Sequence, residues 1–200
     1  MGQAGLAAPQ KKARRLNAWL VFLDESGLLM APLVRRSWAP RGCTPVLIQR
    51  GAHHRKVSVI AALCVAPDRH RVYFYFRLYP DADIQARHVI GFLRRLQREL
   101  HAPWLMLWDR LNAHRARLTP EFLAAHPQHP FPAFFPSYAP ELNPVEYAWG
   151  YLKMNPLANL ARFDTVALRR TAHRYARSLQ RQPTLLQSFL RHSPLSLRLT

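Results

Sequence analysis

Acidic residues are scarce in this chain: 11 Asp and Glu stand against 29 Lys and Arg, a formal net charge of +18 over 200 residues. That excess goes far beyond what solubility needs and points to a polyanionic partner, with nucleic acid the best fit. Cysteine is scarcer still. Cys43 and Cys64 stand in no Cys-x-x-Cys arrangement, so neither a disulfide framework nor dithiol redox chemistry is indicated. Cys64, inside an apolar run, reads as a small buried hydrophobe. His53, His54, His126 and His129 lack a zinc spacing and read as surface or packing residues. No apolar run reaches the roughly 20 residues needed to span a bilayer, and Met1–Lys12 lacks a basic region followed by an apolar core. No membrane partner and a cytoplasmic location are expected.

What the chain does have is a hydrophobic content of 49% with dispersed charge, enough for one domain with a substantial core. Residues 1–17 are polar and basic without an apolar period and predict a loose basic lead-in. The domain is expected over 18–182, followed by an ill-defined basic tail over 183–200. Lys56–Val65 and Arg71–Tyr79 flank Ala66–His70 and predict a hairpin. Asp83–Leu100 has helical spacing, with Ile84, Val89, Phe92, Leu93, Leu96 and Leu100 on one side. Arg87, Arg94, Arg95 and Arg98 lie mostly on the other, and Asp81 or Asp83 would cap it. A helix from Thr119 to His126, an edge strand at Phe131–Phe135 between two prolines, a helix carrying Glu146 and a helix over Asp164–Gln180 follow. Arginine clusters such as Arg35-Arg36, Arg94-Arg95-Arg98 and Arg169-Arg170-Arg174-Arg177 each read singly as solvated faces, so the inference of a nucleic-acid partner rests on the total charge.

Three of the few acids stand at telling positions. The runs Ala18–Asp24 and Pro103–Asp109 read as buried strands whose last residue is an acid, a costly place for a carboxylate without a cation. Glu146 stands on the first turn of a helix behind Asn143-Pro144. Each alone has an ordinary explanation: Asp24 and Asp109 as strand-end acids that cap turns, Glu146 as the far end of a capping box reaching back to the Asn143 N–H. Together, in a chain so poor in acids, they point to a divalent-metal site. Clustered carboxylates repel unless a hard cation neutralises them, and Mg²⁺ prefers oxygen ligands. Glu25 would point to the opposite face of a continuing strand and is not expected to be a ligand.

The acids come in three blocks: Leu23-Asp24-Glu25-Ser26-Gly27, then Leu107-Trp108-Asp109-Arg110-Leu111-Asn112-Ala113-His114-Arg115, then Tyr138-Ala139-Pro140-Glu141-Leu142-Asn143-Pro144-Val145-Glu146-Tyr147-Ala148-Trp149. With 84 residues between the aspartates and 36 between Asp109 and Glu146, they resemble the catalytic blocks of mariner-superfamily bacterial insertion-sequence transposases, of the DDE superfamily. The likeness runs from Asp24 to Lys153. Arg110 departs from the pattern, standing where many relatives carry Asn.

The resemblance implies an α/β, ribonuclease-H-like mixed sheet flanked by helices, with Asp24 and Asp109 on neighbouring strands and Glu146 approaching from its helix. It implies a transposase, an endonuclease and strand transferase that cuts DNA at insertion-sequence ends and joins it to target DNA. Asp24, Asp109 and Glu146 would hold two Mg²⁺ or Mn²⁺ ions roughly 3.5–4 Å apart. His114 and Asn143 would support the site, His114 by orienting a carboxylate or phosphate or else as a structural residue. Arg110, Arg115 and Lys153 would contact DNA, Lys153 alternatively being only solvated. Expected partners are transposon-end and target DNA, further copies of the chain on that DNA, and an upstream-encoded helix-turn-helix protein or domain, because full-length relatives carry such domains and 23 residues precede Asp24. Association with the bacterial nucleoid goes with this reading. The alternative is a non-catalytic DNA-binding remnant of a transposase, which would keep the charge without needing all three acids. A cellular ribonuclease-H-like nuclease is a third reading, against which the Asn143-Pro144-Val145-Glu146 block argues.

Overall fold

The apolar runs become one five-stranded sheet. The computed structural model describes residues 4–31, 33–46, 48, 55–109, 118–126, 130–136, 139–160, 162 and 164–195. Its strands are β1 (Trp19–Leu29), β2 (Lys56–Val65), β3 (Val72–Pro80), β4 (Trp104–Trp108) and β5 (Phe131–Phe134), in the order β3-β2-β1-β4-β5. β1 pairs antiparallel with β2 from Leu20↔Val65 to Leu29↔Lys56, and parallel with β4 from Trp19↔Trp104 to Phe22↔Leu107. The expected hairpin of β2 with β3 and the edge position of β5 beside β4 are both present. Pro132 is tolerated in β5 because an edge strand has one ladder side with no partner to satisfy.

Alternation along the strands sends apolar side chains to both faces, so each face needs a helical cover. Val21, Leu23, Ile60, Ala62 and Met106 pack under α2 (Ala86–Leu100) and α3 (Leu118–Ala124), where Val89, Phe92, Leu93, Leu96 and Phe122 are buried. Leu20, Phe22, Val59, Leu63 and Phe74 face the other way, onto α4 (Pro144–Met154), α5 (Thr165–Gln180) and α6 (Pro183–His192). The buried stripe of α2 is the one its spacing predicts, and Arg87, Arg94, Arg95 and Arg98 are exposed.

Four expectations need correction. Residues 4–15 are not loose: they form α1 (Ala4–Arg15), whose Ala13 is fully buried and whose Lys12 ammonium lies 4.2 Å above the Phe131 ring. The stretch from 183 is helix α6 rather than an ill-defined tail, with Leu186, Phe189 and Leu190 buried. Asp24 does not end its strand, because β2 continues as a partner out to Leu29. Finally, α2 is capped by Gln85, whose backbone N–H donates to His88 Nδ1 at 3.0 Å. Asp81 and Asp83 are engaged elsewhere, Asp81 by Arg55 at 2.7 Å and by the Thr165 hydroxyl, Asp83 by Lys56.

Candidate active site

Asp24 lies just past the point where β1 loses its parallel partner. Pairing with β4 stops at Phe22↔Leu107, β4 itself stops at Trp108, and Asp109 is the next residue. The strand's alternation puts Asp24 on the same face as Leu20 and Phe22, the face that α4 covers, and sends Glu25 to the other. Asp24 is nevertheless buried, at 5% exposure, while Asp109 is half-buried and Glu146 lies on the open side of α4.

Helix α4 is tied to β1 by three side-chain hydrogen bonds. At its start Asn143 Nδ2 donates to the Leu23 carbonyl at 3.1 Å, while Asn143 Oδ1 accepts from the Val145 N–H at 3.2 Å and caps the helix. Midway, Trp149 Nε1 donates to Asp24 Oδ2 at 2.7 Å. Near the end, Lys153 Nζ donates to Ser26 Oγ at 2.7 Å. Pro144 at the first helical position sacrifices no intrahelical bond. The capping box that would give Glu146 a merely local role is not formed, since the Asn143 N–H donates to the Pro140 carbonyl at 2.8 Å.

The electrostatics join the three acids. Burial pushes Asp24 well above the ordinary carboxylate range, and the negative charges of Glu146, Glu25 and Asp109 push it further, opposed by the Trp149 hydrogen bond. Glu146 is raised by desolvation and by Asp109, and pulled back by the Lys153 ammonium. Among the described residues no three His, Cys, Asp or Glu side chains already form a close-set ion cage. The three acids thus share one field without being gathered into a closed ligand sphere. Their donor set is all oxygen, the type that hard divalent cations take.

A groove of about 560 Å³, lined by Glu146 but by neither aspartate, runs along α4 past Tyr147, Gly150, Tyr151 and Met154 to Arg35. Arg35 is held by its Nη1 on the Met154 carbonyl at 2.6 Å and by its backbone N–H on Asn159 Oδ1 at 2.7 Å. Of the residues expected from the sequence, Arg110, His114 and Arg115 lie outside the described residues.

A family model described as DDE superfamily endonuclease matches residues 19–167, about three quarters of the chain. The chain belongs to this DDE family. Among curated proteins none matches it. Its fold is like that of the Mos1 transposase paired-end complex with left transposon end, at 17% identity and a TM-score of 0.56, over 96% of this chain and 61% of that one. The Mos1 mariner paired end complex with Mn gives 17% identity and 0.53 over 92% and 59%, and that with Mg gives 15% and 0.55 over 98% and 64%. At such identities the likeness establishes the fold, a ribonuclease-H-like mixed sheet flanked by helices. The chain spans about three fifths of the length of those transposases.

In this DDE chain the sequence reading missed three residues beside the acids. Ser26 had a signal, standing two residues after Asp24 on one strand face. Trp149 was legible as core, but nothing in an apolar stripe announces that its N–H meets a carboxylate. Arg35 had no signal beyond its place in a basic pair, because its contacts are 119 and 124 residues away in sequence.

Proposed function

We propose that the chain is the catalytic part of a DNA transposase that cuts at the ends of an insertion sequence and joins them to target DNA. The observation that carries the reading is the docking of α4 on β1, which brings Glu146 into the electrostatic reach of both Asp24 and Asp109. Asp24, Asp109 and Glu146 hold Mg²⁺ or Mn²⁺, two ions in all; when bound, such ions polarise the phosphodiester and the attacking and leaving oxygens.

The chain's own residues prepare that site. Trp149 holds one oxygen of Asp24 and so fixes the plane of the carboxylate. Lys153, anchored on Ser26, offers a fixed ammonium to a phosphate beside Glu146. Asn143 sets where α4 begins; His114 supports the site, and Arg110 and Arg115 contact the DNA backbone. In the first reaction a water oxygen attacks phosphorus at the transposon end and a 3′-hydroxyl is released. In the second, that hydroxyl attacks a target phosphodiester, one P–O bond forming as another breaks. Further copies of the chain and a helix-turn-helix protein or domain encoded upstream complete the assembly on DNA.

The test is nicking and joining of DNA bearing the element's ends in Mg²⁺, with the chain supplied together with its helix-turn-helix partner. Asp24→Asn, Asp109→Asn and Glu146→Gln each keep shape and remove charge, and each should abolish activity while leaving far-UV circular dichroism unchanged. Activity surviving in Glu146→Gln would take Glu146 out of the site. Activity surviving in both aspartate variants would sink the mechanism.

A further inference from the structure

Net charge of +18 says that a polyanion binds but not where. Two helices present arginine-rich faces, and the sheet separates them: α2 covers one side, α5 the other, where α4 and Glu146 also lie. On α5 the exposed residues Arg169, Arg170, His173, Arg174 and Arg177 fall within about 140° of the helix surface at 100° per residue. Leu168, Ala172, Ala176 and Leu179 are buried on the opposite side. The helix itself contains no acid, and its cap Asp164 is occupied by the Ala167 N–H at 2.6 Å.

The partners of these arginines are neutral. Arg174 stacks 4.9 Å over the Tyr175 ring and donates to its hydroxyl, and Arg177 donates to Gln180 Oε1 at 3.1 Å. Such contacts orient a guanidinium without cancelling its charge. On α2, by contrast, one guanidinium has an acidic partner, Arg95 being paired with Glu99 at 3.5 Å, while Arg94 leans over Phe122 at 5.6 Å, a neutral contact like that of Arg174. α5 touches α4, the helix that carries Glu146 and Lys153.

We propose that the outer face of α5, on the side of the sheet that α4 also covers, is the platform for the backbone of double-stranded DNA, and that α2 is not. The proposal rests on the reading of the chain as a DNA-acting enzyme. From Arg169 to Arg177 the helix rises about 12 Å, a span over which a duplex presents on the order of 7 phosphate charges, so four guanidiniums on one face, with no acidic partner among the described residues, meet a row of phosphates.

The experiment is binding of a random-sequence 30-base-pair duplex, followed by fluorescence anisotropy across a salt series. Wild type is compared with a variant carrying Arg→Gln at 169, 170, 174 and 177, and with a control carrying Arg→Gln at 87, 94, 95 and 98. Each guanidinium on a phosphate steepens the fall of log K with log salt by about 0.9, so the α5 variant should lose about 3.6 units of slope and the α2 control less than about 1. A third variant with Lys at the four α5 positions should keep the wild-type slope, because counterion release follows charge; it also shows that a loss in the Gln variant is not misfolding. Equal losses from α5 and α2, or a larger loss from α2, would overturn the proposal while leaving the transposase reading intact. A wild type that fails to bind duplex DNA would overturn both.

Discussion

Asp24 is under opposed demands, since burial and neighbouring acids favour its neutral form while the Trp149 N–H favours the charged one. Desolvation is the largest contribution, so its folded-state pKa lies above the unfolded value of about 4. A raised folded-state pKa means that the folded protein holds the proton more tightly than the unfolded chain. The metal-free protein therefore has this contribution in full below about pH 4 and loses it as pH rises through the raised value. Asp24→Asn, whose amide oxygen still accepts from Trp149, should melt higher than wild type at pH 8 in chelator, with the gap closing towards pH 4. A gap of the same size at both pH values would show that shape rather than charge sets it. At this scale the acids were legible because their residue types and spacing form a pattern. The contacts of Trp149 with Asp24 and of Lys153 with Ser26 were not, since these bonds reach 125 and 127 residues back along the chain.

Elements were read well where one face alone is buried. The stripe of α2 has its apolar residues at helical spacing with arginines opposite, and its phase can be tested directly. Leu96→Ala should cost about 2–5 kcal/mol in urea denaturation, against roughly 0.5 kcal/mol or less for Arg95→Ala, whose partner Glu99 is itself exposed. Equal losses would put the helix phase in error. α1 was misread because, among its residues whose side chains are described, Ala13 alone is buried, and its neighbours from Gln10 to Arg15 are otherwise polar, too little for a period to emerge. α6 was misread for a different reason. Its buried residues Leu186, Phe189 and Leu190 stand at i, i+3 and i+4 behind Pro183, a helical signal masked by the basic residues around it.

For the molecule as a whole, a ligand that binds only the folded state adds stability by mass action. Mn²⁺ at a hundred times its dissociation constant should contribute about 2.7 kcal/mol, a rise in Tm of roughly 5–10 °C for a chain of this size, reversed by chelator. Asp24→Asn and Glu146→Gln should each lose most of that rise; an unchanged rise in both would place the ion elsewhere. That β1 and β4 are neighbours was implied by family resemblance, but strand spacing alone could not establish that β1 lies between β2 and β4, because pairing is decided by contacts distant in sequence. The ties from α4 to Leu23, Asp24 and Ser26 have a consequence for how the molecule opens. A helix fastened at its start, middle and end to the central strand cannot peel away one turn at a time without exposing a buried carboxylate. Helix and strand thus form a single cooperative unit of local unfolding, and Asp24 and Glu146 are either brought together or parted together.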